Sequence, residues 1–282
     1  MSDYTIAERE QIARLIEKLM LDLQTGVAMT QAPSEGPLWA ITKNQEKLGA
    51  RPNELSVGLA SARMSIVVAA DFAKAFAGLL RQHNQIGFAF GSVARSAAEA
   101  SGRADYILSY TDQQDLLARW TRARKLSHAS YASSLAASDD SGHAMAKRIA
   151  GEIEAILDGL KLTGKARGVT HGSVAVTLLD KVFKSTTGSS EYSFLSSMSH
   201  GDNSATETFT TVVSTGTGPE GLNTTKLQMP SNLILRCWMA VGGGVLVASM
   251  RLFKLANLHH TDRGFLASVL DQSEAIARLM HD

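Results

Sequence analysis

Apolar residues recur at the three- and four-residue spacing of an α-helix along most of this 282-residue chain. Thr5 and Glu8 make a capping box ahead of the stripe Ile12, Leu15, Ile16, Leu19 and Met20, predicting a first helix over about residues 5–24. The period then fails. Pro33, Pro37 and Pro52, with Gly36 and Gly49, predict a long irregular connection over about 26–55 that can carry a short helix near Trp39 to Leu48. Helical spacing returns with Leu59, Ile66, Val67, Ala70, Phe72, Ala73, Phe76 and Leu80, a long helix over about 56–82. The next, over about 86–108, is rich in small residues (Gly87, Gly91, Ala94, Ala97, Ala98, Ala100, Gly102). Small residues let helices approach closely, so this helix is expected at the centre.

A second capping box, Thr111 with Gln114, opens a helix to about Ala137, and Ser138 to Ser141 break it and cap another over about 142–160. A shorter amphipathic helix is expected over about 173–184, followed by the polar linker Ser185 to Ser190. The stretch Glu191 to Phe209 begins as a helix, with Gly201 as its C-cap and Asp202-Asn203 as turn chemistry. Residues 206–229 are rich in threonine and glycine, which fits a loop or a small hairpin. Pro230 precedes an apolar helix over about 233–257, and a last amphipathic helix over about 261–280 buries Phe265, Leu266, Val269, Leu270, Ile276 and Leu279. The fold class is therefore all-α, a bundle of about eight or nine helices in a single domain spanning residues 1–282.

Composition narrows the function classes. Twenty-eight basic and 27 acidic residues leave a charge of +1, so binding a polyanion would need a local patch. The single cysteine, Cys237, excludes an intramolecular disulfide and fits a reducing, cytoplasmic compartment. The opening residues carry no apolar run, so no signal peptide is expected. Cys237 to Met250, bracketed by Arg236 and Arg251, is shorter than the roughly 20 apolar residues of a membrane span, so a buried helix and no membrane partner are expected. Its run Gly242-Gly243-Gly244 costs about 1 kcal/mol per glycine against alanine, which points to a close helix crossing or a kink.

Three constellations could carry chemistry. Tyr192, Ser196 and His200 fall at i, i+4 and i+8 and share a helical face, while Phe194, Leu195 and Met198 point to the core. A histidine there could move a proton near neutral pH; the plainer reading is a histidine bonded to the carbonyls of its own helix end. On the small-residue helix, Arg95, Glu99 and Arg103 form one charged stripe, either an ion network between helices or a site offering an arginine to an anion. Arg119, Arg122, Arg124, Lys125 and His128, with Trp120 among them, make either a phosphate-binding surface or a solvated face. His259-His260 with Asp262 lacks ligand spacing, and no HExxH, CxxC, P-loop or G-x-S-x-G occurs, so no metal or cofactor is expected.

The order of Arg95-Ser96-Ala97-Ala98-Glu99, the arginine-bearing segment Arg119 to His128, and Tyr192-Ser193-Phe194-Leu195-Ser196-Ser197-Met198-Ser199-His200-Gly201 resembles a group of uncharacterised, largely actinobacterial helical proteins. These pair an Arg-x-x-x-Glu helix with a Tyr-x-x-Leu-Ser-x-x-x-His-Gly segment, and the group is similar in pattern to HEPN-type helical domains. The resemblance covers about Ser92 to Phe209. It implies a HEPN-like core, a homodimer and an RNase, toxin or antiphage role acting on RNA or a nucleotide. The HEPN signature places an arginine four to six residues ahead of the histidine. Here Ser193, Phe194 and Leu195 stand ahead of His200, and although Arg122 and His128 have the spacing, Ala123 replaces the polar residue after the arginine. An arginine from elsewhere in the chain, such as Arg95, must then supply the cation.

The expected site is His200 as general acid or base, Ser196 and Tyr192 orienting it, Arg95 with Glu99 alongside, and Arg119, Arg122 and His128 for phosphate. The alternatives are a non-enzymatic helical scaffold whose polar cluster is structural, and a small-ligand binder with the Thr-rich loop as lid.

Overall fold

Helix-forming spacing becomes helix along most of the described residues. The computed structural model describes residues 4–31, 36–43, 54–82, 87–138, 140–200, 211–217, 223–228, 230–258 and 262–281. In order these form α1 (Ile6–Met29), α2 (Gly36–Lys43), α3 (Glu54–Arg81), α4 (Gly87–Leu108), α5 (Gln113–Ser138), α6 (Asp140–Gly159), α7 (His171–Val182) and α8 (Gly188–His200). A hairpin of β1 (Thr211–Thr217) and β2 (Asn223–Gln228) follows, then α9 (Ser231–Leu255) and α10 (Arg263–His281). The fold is all-α apart from that one antiparallel hairpin, whose register shifts between Ser214 and Gly216. Among the described residues there are ten α-helices, the one beyond the expected number being the short α2. The expected cap at Gly201, the turn at Asp202-Asn203, the hairpin tip and residues 32–35 and 44–53 of the 26–55 connection lie outside the described residues.

Local chemistry accounts for the starts and stops. The Thr5–Glu8 capping box is present, Glu8 N–H donating to Thr5 Oγ1 at 3.2 Å and Thr5 N–H to Glu8 Oε2 at 2.6 Å. α1 runs past the expected end because Gly26 is a packing glycine: a Cβ there would lie 2.6 Å from the Phe253 ring and 2.7 Å from that of Phe265. At α5 the cap is one residue later than expected. The Asp112 carboxylate accepts from Asp115 N–H at 2.8 Å, a stronger acceptor than the Thr111 hydroxyl. α7 starts early on a Thr170–Ser173 capping box. α8 takes three residues from the expected polar linker because Asp180 accepts the Gly188 N–H at 2.8 Å.

α4 lies at the centre of one connected core, packed against α3, α7, α8 and α9. Its small residues are the contact points. A Cβ on Gly91 would sit 2.3 Å from the Met198 Cβ of α8, and one on Gly102 would sit 2.7 Å from the Val174 carbonyl oxygen of α7. α9 shows the close approach expected of its glycine run, of Gly243 to Val182 and of Gly244 to Leu178 and Ser101, and in addition a π-turn at Met239–Gly243. At 25 residues α9 is longer than the expected apolar stretch, and with α3 it meets the length and hydropathy of a membrane span; both bury one face in the shared core. Leu270, expected inside, is 48% exposed; Leu266, Val269 and Ile276 are buried.

Ion pairs bind the helices around α4. Arg236 of α9 clamps the buried Glu191 of α8 at 2.6 and 2.9 Å. Asp105 of α4, 3% exposed at its side chain, meets both Lys181 of α7 and Arg251 of α9, the Arg251 Nε standing 2.9 Å from Oδ1 as an ion pair without an aligned hydrogen bond.

Candidate functional site

Along α4, Arg95, Glu99 and Arg103 stand one turn apart and face α8 and the start of α7. Arg95 Nε donates to Glu99 Oε1 at 2.9 Å. Its Nη1 donates to Ser199 Oγ at 3.0 Å and lies 2.9 Å from His200 Nε2. A guanidinium has no acceptor, so Nε2 of His200 contributes its lone pair and the ring proton sits on Nδ1. The Tyr192 hydroxyl donates to Glu99 Oε1 at 2.7 Å, and the Arg95 guanidinium lies 5.7 Å from the Tyr192 ring centre. Arg95 and Glu99 side chains are 28% and 23% exposed, and His200, at the end of α8, is exposed. The strip is thus held by the scaffold and open to solvent.

The electrostatics follow from this pairing. Burial raises the Tyr192 phenol above its ordinary value and the Glu99 carboxylate raises it further, so Tyr192 is a neutral hydroxyl. Burial works against the charge on Arg95, but Glu99 and Tyr192 outweigh it and the guanidinium is held protonated.

Two further groups join the strip, neither included in the site expected from sequence. His171, the first residue of α7, has its basicity lowered by burial and then by the Arg103 and Arg95 charges, against a smaller opposing pull from Glu99. Next to it, a Cβ on Gly172 would lie 3.1 Å from the Tyr192 ring, which places the start of α7 on the tyrosine that bonds Glu99. Arg103 Nε and His171 Nδ1 are buried and without a hydrogen-bond partner among the described residues. Arg103 therefore does not share Glu99 with Arg95 as the i, i+4, i+8 stripe suggested.

Ser196 enters differently from expectation. The serine that meets Arg95 is Ser199, whose hydroxyl donates at 2.8 Å to the Ser196 carbonyl; Ser196 supplies its backbone oxygen. Ser199 lies three residues on, the other neighbour on a helical face, and that period was the only signal for it.

The expected phosphate residues share no hydrogen bond or ion pair with this group among the described residues and are engaged internally. Arg119 bonds Asp115 at 2.8 Å and the Tyr106 carbonyl at 3.2 Å. Arg122 bonds the Ala166 carbonyl at 2.6 Å and the Tyr106 hydroxyl at 3.2 Å, and His128 donates to the Ala146 carbonyl at 2.9 Å. Lys125 pairs with Glu154 at 2.6 Å and Arg124 with Glu54 and Glu152 at 3.2 Å each. In the structure they tie α5 to α3, α4, α6 and the turn at Gly164–Arg167.

The chain matches no known protein family, no curated protein and no solved structure. Function must therefore be argued from the strip itself. Among the described residues no three histidine, cysteine or carboxylate side chains converge as metal ligands. A cleft of about 890 Å³ lies at the far end of α4, lined by Leu108, Met250, Arg251, Phe253 and Leu266, more than two turns beyond Glu99. What the strip can do is bind an anion through guanidinium groups while an accessible imidazole accepts or returns a proton.

Proposed function

We propose that this chain is a HEPN-like helical protein that cleaves RNA, working in the cytoplasm as a homodimer. The observation that supports the reading is the contact of Arg95 with His200, an exposed imidazole and a guanidinium from helices 105 residues apart in sequence. In the proposed reaction a phosphodiester docks on Arg95, whose Nη1 then leaves Nε2 of His200. The anion thus uncovers the base at the moment it is bound. Nε2 takes the proton of the ribose 2′-hydroxyl; the 2′-oxygen bonds to phosphorus, the bond to the 5′-oxygen breaks, and that oxygen takes a proton from water. Glu99, bonded by Arg95 Nε and Tyr192, keeps the guanidinium in place through the exchange.

A non-enzymatic scaffold is the second reading, and one observation favours it: Nε and Nη1 of Arg95 are already engaged within the protein. Turnover of a 5′-labelled single-stranded RNA by the wild type, His200→Ala and Arg95→Ala separates the two. The nuclease reading expects a loss of at least 100-fold in both variants with a melting temperature near that of the wild type, on the scale of removing a general base. Equal turnover in all three, or none in the wild type, overturns it. A large fall in melting temperature without any RNA turnover is the scaffold's outcome.

A further inference from the structure

Arg103 makes no hydrogen bond or ion pair among the described residues, its Nε is buried, and its charge acts on a histidine, His171, whose own buried Nδ1 is also without a partner. A guanidinium without a counter-charge, beside an imidazole, is an unfavourable arrangement unless something anionic completes it. The charges acting on His171 are two cations and one carboxylate. Arg95 and Arg103 are both cationic, Glu99 is committed to Arg95 and Tyr192, and the first turn of the 12-residue α7 brings the positive end of its dipole to the same place. The other elements against His171 add no carboxylate to its electrostatic environment besides Glu99.

We propose that Arg103 and His171 form a second phosphate subsite, so that the strip binds a single-stranded RNA with at least two phosphates more tightly than a mononucleotide. Arg95 and Arg103 are eight residues apart on one helix, about 12 Å along its axis. A single phosphate group cannot reach both, whereas successive phosphates of one strand can. The inference rests on the Arg95–His200 site being where RNA is held, and its test is therefore made on binding rather than turnover.

The experiment measures fluorescence-anisotropy binding of a fluorescein-labelled single-stranded RNA octamer, with AMP as competitor, to wild type, Arg103→Met and Arg103→Lys. Arg103→Met is expected to weaken octamer binding about tenfold and to lower the slope of log affinity against log salt by about 0.7, the loss of one phosphate contact on a single strand. AMP affinity should not change, and Arg103→Lys should recover most of the octamer affinity. If the wild type binds the octamer no better than AMP, or if Arg103→Met loses AMP and octamer equally, the second subsite does not exist. Should Arg103→Met fold poorly, judged by circular dichroism, Arg103→Gln and His171→Asn carry the test, and unchanged octamer affinity in both overturns the proposal. Octamer binding that depends on Arg103 without RNA turnover leaves the subsite standing and removes only the nuclease.

Discussion

The hydrogen bond between Arg95 and His200 works only for one tautomer of one imidazole, and its consequences begin with that lone pair. His171 shows how the same strip acts on stability. Burial, Arg103 and Arg95 hold its basicity below the ordinary value near 6.5, with Glu99 opposing. The unfolded chain therefore binds the proton more readily, and the stability His171 contributes is complete above about pH 6.5 and lost as pH falls through the lowered folded value. Melting temperature should accordingly drop between pH 7 and pH 5 more steeply in the wild type than in His171→Gln. Identical slopes would show that the His171 environment is not as described. None of this was legible in sequence, where His171 is one histidine beside a capping threonine; its partners come from a helix about 70 positions earlier.

At the scale of elements, the pattern of small residues was the most informative signal. Gly91 and Gly102 were readable as sites of close packing, and the structure puts Met198 and the Val174 backbone against them. Which partner each glycine meets could not be read from one chain, because helix spacing fixes a face and not its neighbour. Capping boxes were similarly legible, and the errors there are one-residue shifts or glycines such as Gly26 that look like stops and are contacts. Gly91→Ala pushes a methyl group to 2.3 Å from Met198 Cβ and should cost about 1–3 kcal/mol while displacing α8 and its His200. Gly78→Ala on α3 meets nothing within 4 Å and should instead stabilise by about 0.5–1 kcal/mol. Urea denaturation of the two variants checks both signs. A neutral Gly91→Ala would mean that α4 and α8 are farther apart than described.

Over the whole molecule, ion pairs do two different things. Around α5 and α6 they connect elements through Arg119, Arg124 and Lys125, and the basic segment there reads in sequence as a phosphate surface because sequence shows the charges without their partners. On α4 the balance differs: Glu99 pairs with Arg95, and the Arg103 Nε has no partner among the described residues. With a net charge of only +1, no general field draws a polyanion to the protein, so the proposed RNA binding rests on a local cluster of charge such as this strip. The central claim is that RNA takes Arg95 away from His200 and so frees the base. A titration of ¹⁵N-histidine-labelled protein with a 2′-O-methyl RNA octamer, which binds but offers no nucleophile, follows that exchange directly. The account predicts a free protein with His200 protonated on Nδ1 and a bonded Nε2 whose resonance moves as the octamer binds. A His200 protonated on Nε2 in the free protein, or one unmoved while the octamer saturates, would contradict it.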